Sequence, residues 1–439
     1  MQPELLDKLR ATVGDAHVLT GVDLSPYVSE GRTPAAAVFP GSLDEVSTVV
    51  VAAAAAGMPI VPWGGGTAAS VGTPPARPSL VLGLSRLNRL LEHEPGDLTT
   101  TVQAGMTLGA LQTALRARGQ WLSLDPPDAE RATVGGVIAA DAAGPRRHLY
   151  GSARDLVIGM TLVMADGAVV KGGGKVVKNV AGYDLPKLFI GSYGTLGVIV
   201  EVTVKLRPAP EDERLVAVRF ERVKDCGAAV RAVLASDLIP SALEILDGAA
   251  SATLGLPGGR ASLVVGFDGL REQVEWQAAE LAAVVGPHGG RDATVLAPDV
   301  WPRLCTAGRT ALPSPTAVMT FSVLPTLVAD TIEQGTGIAR QRGLPSAWTA
   351  HAGVGIVTAA LGAPGAQPDA AAVVAVLTDW RAMARAGGGH ATLVGAPLAV
   401  KSQVPVWDDP GAAARIMQRI KAQLDPANVL NPGRFVAGI

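Results

Sequence analysis

IVPWGGGT, residues 60–67, decides the fold: two β-branched residues open a short strand that runs directly into three consecutive glycines. Glycines let successive backbone N–H groups converge on one concavity and let a bulky anion approach without a Cβ clash, which is how main chain holds phosphate. A pyrophosphate suits such a loop. An ordinary tight turn has the same sequence, so the surroundings must choose between the two. Residues 68–78 are too rich in proline and small side chains to continue as a long helix, and the loop is not a GxGxxG. Both facts disfavour a dinucleotide fold of the Rossmann type.

Upstream, residues 37–39 read as a buried strand, and Ser42 caps a helix whose first turn carries Asp44 and Glu45. Gly57 ends that helix, so the glycine loop closes a strand, helix, strand unit. Downstream, strands are expected at 80–82, 99–103, 156–164 and 198–206, with a helix over 108–118. Asp166 and Gly167 form the turn of a hairpin. Two prolines within 207–210 precede a charged stretch, which places a domain boundary near residue 212.

From Arg214 the pattern alternates strands (215–220, 242–246, 262–267) with helices (226–235, 272–285), as in a separate α+β domain. Residues 359–370 read as a loop before a helix over 371–386, and a last helix over 410–424 precedes DPANVLNPGRF. The expected organisation is an N-terminal helical segment (1–29), a glycine-punctuated domain (30–212), an α+β domain (213–396) and a C-terminal segment (397–439).

Composition narrows the function classes. With 439 residues and a formal net charge of -2, the chain shows no basic footprint for nucleic acid and is long enough for two cores. Glycine accounts for 52 residues, about 12 % against a usual value of about 7 %, and it clusters beside β-like segments. Cys226 and Cys305 are the only cysteines, so neither a disulfide framework, a zinc site nor a four-cysteine iron-sulfur cluster is expected within this chain. The charged N-terminus is not a secretion signal, and the longest apolar run, 46–58, is too short to span a bilayer. A cytoplasmic protein is the expectation.

Two further segments share the character of the glycine loop. ATVGGVIAADAAGPRRHLYG, residues 132–151, is dominated by small residues that let backbone press against a flat ligand, with Thr133, Asp141 and Tyr150 as isolated hydrogen-bonding groups. Close helix packing is the alternative reading. KNVAGYDLPKLFIGSYGTLGVI, residues 178–199, repeats the mixture before a strand.

In order and spacing, these segments together with TVQAGMTLGALQTAL and the terminal NPGR resemble the FAD-linked oxidases of the vanillyl-alcohol oxidase and PCMH-type fold. The wording KNVAGYDLPKLFIGS is most similar to the FAD-binding subunit of bacterial glycolate oxidase. The resemblance is close over 30–210, moderate in the tail and faint in between. It implies a two-subdomain FAD-binding domain, an α+β cap domain for substrate, and a tail that returns to the FAD domain. Carried over by position, Trp63, Gly64, Gly65, Gly66, Thr67 and Ala68 would cradle the pyrophosphate. Pro127 and Asp128 would lie near the flavin, and Thr133, Gly135, Gly136, Ala139 and Asp141 along the diphosphate and ribityl region. Gly144, Tyr150 and Gly151 would close that side, Gly197, Val198 and Ile199 would meet the adenine, and Arg434 would return from the tail.

The chain departs from the family at three points. No histidine lies near WGGGT, so the FAD is expected to be non-covalent. Asp141 stands where many catalytic relatives have Asn, and Tyr193 where they have Glu.

Oxidising a 2-hydroxy acid needs a hydride acceptor, a base for the hydroxyl proton and a cation for the carboxylate. His351, in TAHAGVG, is the best candidate for the base, ahead of His390, with a structural or surface histidine as the competing reading. Arg340, Arg342 and Arg381 are candidates for the cation. The paired histidines and glutamate of metal-using relatives are not seen around His351 or His390, so no metal is expected. That absence favours a subunit of a glycolate oxidase-type complex, working beside a second flavoprotein and an iron-sulfur subunit, with peripheral attachment to the inner face of the membrane through the complex. A stand-alone D-lactate-like dehydrogenase and a non-catalytic flavin-binding scaffold remain as alternatives.

Overall fold

The computed structural model describes residues 1–175, 183–256, 259–362 and 370–439. The KNVAG of the third glycine segment lies outside the described residues, as do residues 363–369 of the expected loop. The chain divides into two compact units.

The first unit comprises Met1–Ala143, Ser152–Pro208 and Asp409–Ile439. Its opening helix α1 (Pro3–Val13) buries Leu5, Leu9 and Val13 at successive turns, against helix α2 (Leu43–Ala55). The N-terminal segment is therefore part of this core. Ser42 caps α2, its Oγ accepting from the Glu45 N–H at 3.2 Å. Strands β1 (Val18–Leu19), β2 (Ala36–Val38), β3 (Ile60–Trp63) and β4 (Leu80–Gly83) form a sheet of order β1-β2-β4-β3, in which β4 runs parallel to both neighbours. Parallel strands buried on both faces explain the unbroken apolar runs.

A second, antiparallel sheet of order β5-β6-β10-β8-β9 joins β5 (Leu90–Glu94), β6 (Thr99–Gln103), β8 (Val157–Val163), β9 (Val169–Gly173) and β10 (Val198–Lys205). The hairpin read at Asp166 and Gly167 connects β8 to β9. A short antiparallel pair, β7 (Gln120–Trp121) with β11 (Arg207–Pro208), completes the strands of the unit. Between the sheets' strands lie helices α3 (Leu108–Arg116) and α4 (Val134–Ala140).

The second unit, Gly144–Gly151 with Ala209–Asp408, is built on one antiparallel sheet. Its order is β15-β12-β14-β13-β17-β18-β16-β19, with β12 (Asp212–Phe220), β13 (Ala242–Asp247), β14 (Ala261–Gly269), β15 (Arg291–Val295), β16 (Ala317–Ser322), β17 (Ser346–His351), β18 (Ile356–Leu361) and β19 (His390–Gly395). Strand period divides the side chains between two cores: Val216, Val218 and Phe220 join the larger cluster, Leu215 and Ala217 the smaller.

Several boundaries differ from those read along the chain. The second unit takes over at Ala209 and continues to Asp408, well past residue 396, because Val400 and Val404 pack into its larger core. A short helix, Leu398–Lys401, follows Pro397 and turns Val400 inward. The loop expected from 359 begins three residues inside β18, and the last helix starts at Ala413 instead of 410. No helix among the described residues is long and apolar enough to cross a membrane.

Candidate functional site

The first unit contains a cleft lined by the loop that leaves β3, by the start of α4, by residues 193–199 and by the C-terminal tail. Its floor is the loop that leaves β3. Gly64, Gly65 and Gly66 press so closely on their neighbours that side chains are excluded. A Cβ on Gly64 would stand 2.1 Å from Thr133 Oγ1, and one on Gly65 would stand 1.8 Å from the Arg131 carbonyl oxygen. Gly66 has a φ of +72° and lies against the Trp63 ring. The loop is thereby clamped on the segment that enters α4, whose N-cap Thr133 accepts from the Gly136 N–H at 3.3 Å.

The opposite wall comes from residues distant in sequence. Gly194, Gly197 and Ile199 line it, and Tyr193, at φ +54°, donates its N–H to the Ala139 carbonyl at 2.8 Å. The C-terminal tail supplies the brace. Residues 429–431 run parallel to the start of β3, with the Ile60 N–H bonded to Val429 O and the Asn431 N–H to Ile60 O, both at 2.7 Å. Asn431 Nδ2 donates to Tyr193 O at 2.7 Å. Arg434, 4 % exposed, donates to Ala69 O at 3.0 Å, Val71 O at 2.6 Å and Asn431 Oδ1 at 2.9 Å. Burial pulls its guanidinium below the ordinary range, opposed by Glu30 and Tyr193. The contacts of Arg434 thus hold the 69–71 backbone in place.

Of the residues expected around a cofactor, Trp63, Gly64, Gly65, Gly66, Thr67, Ala68, Thr133, Gly135, Gly136, Ala139, Gly197, Ile199 and Arg434 line this one cleft. Others are placed differently. Asp128 is an exposed turn residue at φ +56° whose carbonyl accepts from Arg131 and Ala132, and Asp141 caps the end of α4 and accepts from Ser152 Oγ at 3.3 Å. Pro127 and Val198 are outside the lining. Gly144, Tyr150 and Gly151 belong to the second unit, where the Tyr150 hydroxyl donates to Asp268. Leu84, Gly194 and Asn431 also line the cleft and were not anticipated there, although GSYGTLG and NPGR hold the last two, and Tyr193, noted only as a departure from the family, lines it as well.

In the second unit His351 ends β17 directly across from Glu244 on β13. Its Nδ1 lies 2.8 and 2.9 Å from the two carboxylate oxygens, and Glu244 is 3 % exposed. The ring of His148 packs over Gly353, where a Cβ would come within 2.3 Å of it. Burial holds His148 below the ordinary imidazole range, while Glu244 acts in the opposite sense. The pairing of His351 with Glu244, with His148 close enough for Glu244 to act on it, had not been suggested by the sequence. Among the described residues no group of three His, Cys, Asp or Glu is arranged to hold a metal ion.

The other candidates are committed elsewhere. His390 is exposed beside Asp408, and Arg342 pairs with Asp379 at 2.5 Å. Arg381 is buried and bonded to Asp408 and to the Ala391 and Pro405 carbonyls, and Arg340 lies on an exposed helix face. Arg146, 7 % exposed, is a further buried cation, 3.0 Å from Glu213 and stacked on Trp301.

Comparison with known proteins agrees with this geometry. Residues 34–173 match the FAD binding domain model, and residues 209–435 match that of the FAD linked oxidases, C-terminal domain. The chain is 31 % identical to glycolate oxidase subunit GlcD of Bacillus subtilis, over 92 % of this chain and 89 % of that one. It is 37 % identical to a D-lactate dehydrogenase of Archaeoglobus fulgidus, over 48 % of this chain and 47 % of the relative. Among solved structures, p-cresol methylhydroxylase superposes with a TM-score of 0.78 at 20 % identity, covering 99 % of this chain and 96 % of that one. The fold is the PCMH-type α+β architecture, and the cofactor is FAD. The close-packed glycines of residues 64–66 fit a group whose diphosphate must approach main chain.

Proposed function

We propose that this chain, which belongs to the FAD-linked oxidases, is the FAD-binding subunit of a glycolate oxidase-type complex that oxidises a small 2-hydroxy acid to the 2-oxo acid. The similarity to a glycolate oxidase subunit over nearly the whole of both chains carries this reading. When bound, FAD supplies the hydride acceptor.

The chain's own residues divide the remaining tasks. Gly64, Gly65, Gly66 and Thr67 hold the diphosphate with main-chain N–H groups, and Thr133, Gly135 and Gly136, packed against that loop, line the same cleft. From the tail, Arg434 holds the end of that loop through Ala69 and Val71, and Asn431 holds the Tyr193 wall. His351 takes the hydroxyl proton of the substrate at Nε2. A second flavoprotein and an iron-sulfur subunit receive the electrons.

A second reading, a dehydrogenase that works alone, is favoured by the pairing of His351 with Glu244, since it gives this chain an acid–base group of its own. One anaerobic experiment separates the two. The purified chain reconstituted with FAD is mixed with glycolate or D-lactate, alone and with copurifying subunits, and flavin absorbance is followed. Bleaching only with the subunits present supports the complex, and bleaching by the chain alone supports the second reading. Flavin that stays oxidised in both settings refutes catalysis and leaves a flavin-binding scaffold.

A further inference from the structure

We infer that Glu244 is a positioning residue that fixes His351 as the Nδ1–H tautomer and so presents Nε2 as the proton-accepting nitrogen. The two residues sit 107 apart in sequence and are joined by the register of β13 against β17. Glu244 points away from the larger core, which its neighbours Leu243 and Ile245 enter. A carboxylate this deeply buried is costly unless it is given donors.

Among the described residues His351 is the only hydrogen-bond donor to it. One nitrogen nearly equidistant from both oxygens is the geometry of a single N–H shared between the two oxygens of a carboxylate acceptor. With Nδ1–H donated to Glu244, the lone pair of the neutral ring is on Nε2. The His351 side chain is 21 % exposed, against 4 % for Glu244, so the pair has one buried end and one open end.

The nearby His148 does not compete for the carboxylate. Its Nδ1 is buried with no hydrogen-bond partner among the described residues, and burial favours its neutral form. An unpartnered ring nitrogen is tolerable as a bare lone pair, whereas an imidazolium would bury two donors. Gly353 preserves this arrangement, because any Cβ there would strike the His148 ring. During turnover the proton of the substrate hydroxyl goes to His351 Nε2, and the Nδ1 proton remains in its bond to Glu244. No proton passes to the carboxylate.

The role of Nε2 as base rests on the function proposed above, whereas the tautomer does not. The test therefore has a readout free of substrate. The full chain is loaded with FAD and labelled with ¹⁵N-histidine. Long-range ¹H–¹⁵N spectra at pH 7, with His351 assigned through His351→Gln, should show protonated Nδ1 and bare Nε2. Glu244→Leu should shift His351 toward the Nε2–H form. His351 found as the Nε2–H tautomer or as imidazolium in the unsubstituted protein overturns the inference.

Glu244→Gln, which keeps volume and an acceptor, guards against a folding failure. It should lower the flavin-reduction rate constant by about 10²-fold with little change in substrate half-saturation. The same substitution should cost little more in a His351→Gln background. Multiplying losses would refute a role exerted through His351. A correct tautomer without flavin reduction by any 2-hydroxy acid sinks the proposed activity and leaves the pairing intact.

Discussion

Replacing Gly65 by alanine tests the cofactor seat most directly. The added Cβ would lie 1.8 Å from the Arg131 carbonyl oxygen, where ordinary contact begins near 3.4 Å, and the obstacle is backbone. Relief therefore requires one of two rigid segments to move by about 1.5 Å. One is the loop from Trp63 to Ala69, tied by Arg434 through Ala69 O and Val71 O. The other leads into α4, tied by Thr133 and by the bonds of Arg131 and Ala132 to Asp128 O. Either shift spoils the convergence of main-chain N–H groups on one diphosphate.

A displacement of that size at a preorganised site costs on the order of 10²-fold, or about 2.8 kcal/mol of binding. Titrating apoprotein with FAD by flavin fluorescence should show that loss, while far-ultraviolet circular dichroism stays unchanged. Gly96→Ala serves as the control, since nothing lies within 4 Å of its Cβ position, and it should leave FAD affinity unaltered. Gly65→Ala that binds FAD as tightly as the parent would refute the assignment of this loop to the diphosphate.

Two further perturbations probe how the units are held together internally. Lys421, 5 % exposed, donates to Thr195 O at 2.7 Å, Leu430 O at 2.8 Å and Asp425 at 2.6 Å, so Lys421→Met leaves a buried carboxylate short of its counter-charge. The unfolding free energy in urea should fall by about 3–5 kcal/mol, and a change under 1 kcal/mol would count against the brace. Asp247 caps the helix Gly248–Thr253 by accepting from the Ala250 N–H at 2.8 Å, and burial pushes its carboxyl up to about 6. Between the unfolded value of about 3.9 and this one, the unfolded chain holds fewer protons, so stability falls as pH rises through that window. Asp247→Asn keeps the cap and should raise stability at pH 7 by up to about 3 kcal/mol, flattening the pH 4–6 slope; an unaltered slope would contradict the burial argument.

Much of the first unit could be read locally. Ser42 and its acidic first turn, the Asp166-Gly167 hairpin and the β3 exit loop obey rules that act over a few residues. Local rules failed where tertiary burial chose between equal options. Residues 397–408 carry no sign of which core they enter, and the core of the second unit claims Val400 and Val404. Segment 132–151 reads as one continuous stretch, yet Gly144–Gly151 belongs to the second unit through Arg146, Tyr150 and their acidic partners. An acid in the middle of the apolar strand ALEIL was the available hint of Glu244.

By itself the sequence determined the family and the cofactor and marked the glycines proposed to hold it, because a backbone that must meet a diphosphate without side chains writes that demand into consecutive residues. The return of Arg434 from the tail was expected from the family resemblance; tertiary structure alone decided its bonds to Ala69 and Val71, the wall of Tyr193 and Asn431, and the pairing of Glu244 with His351. Those contacts are set by strand register and by a tail returning across more than two hundred residues, and neither distance nor register is legible from a local pattern.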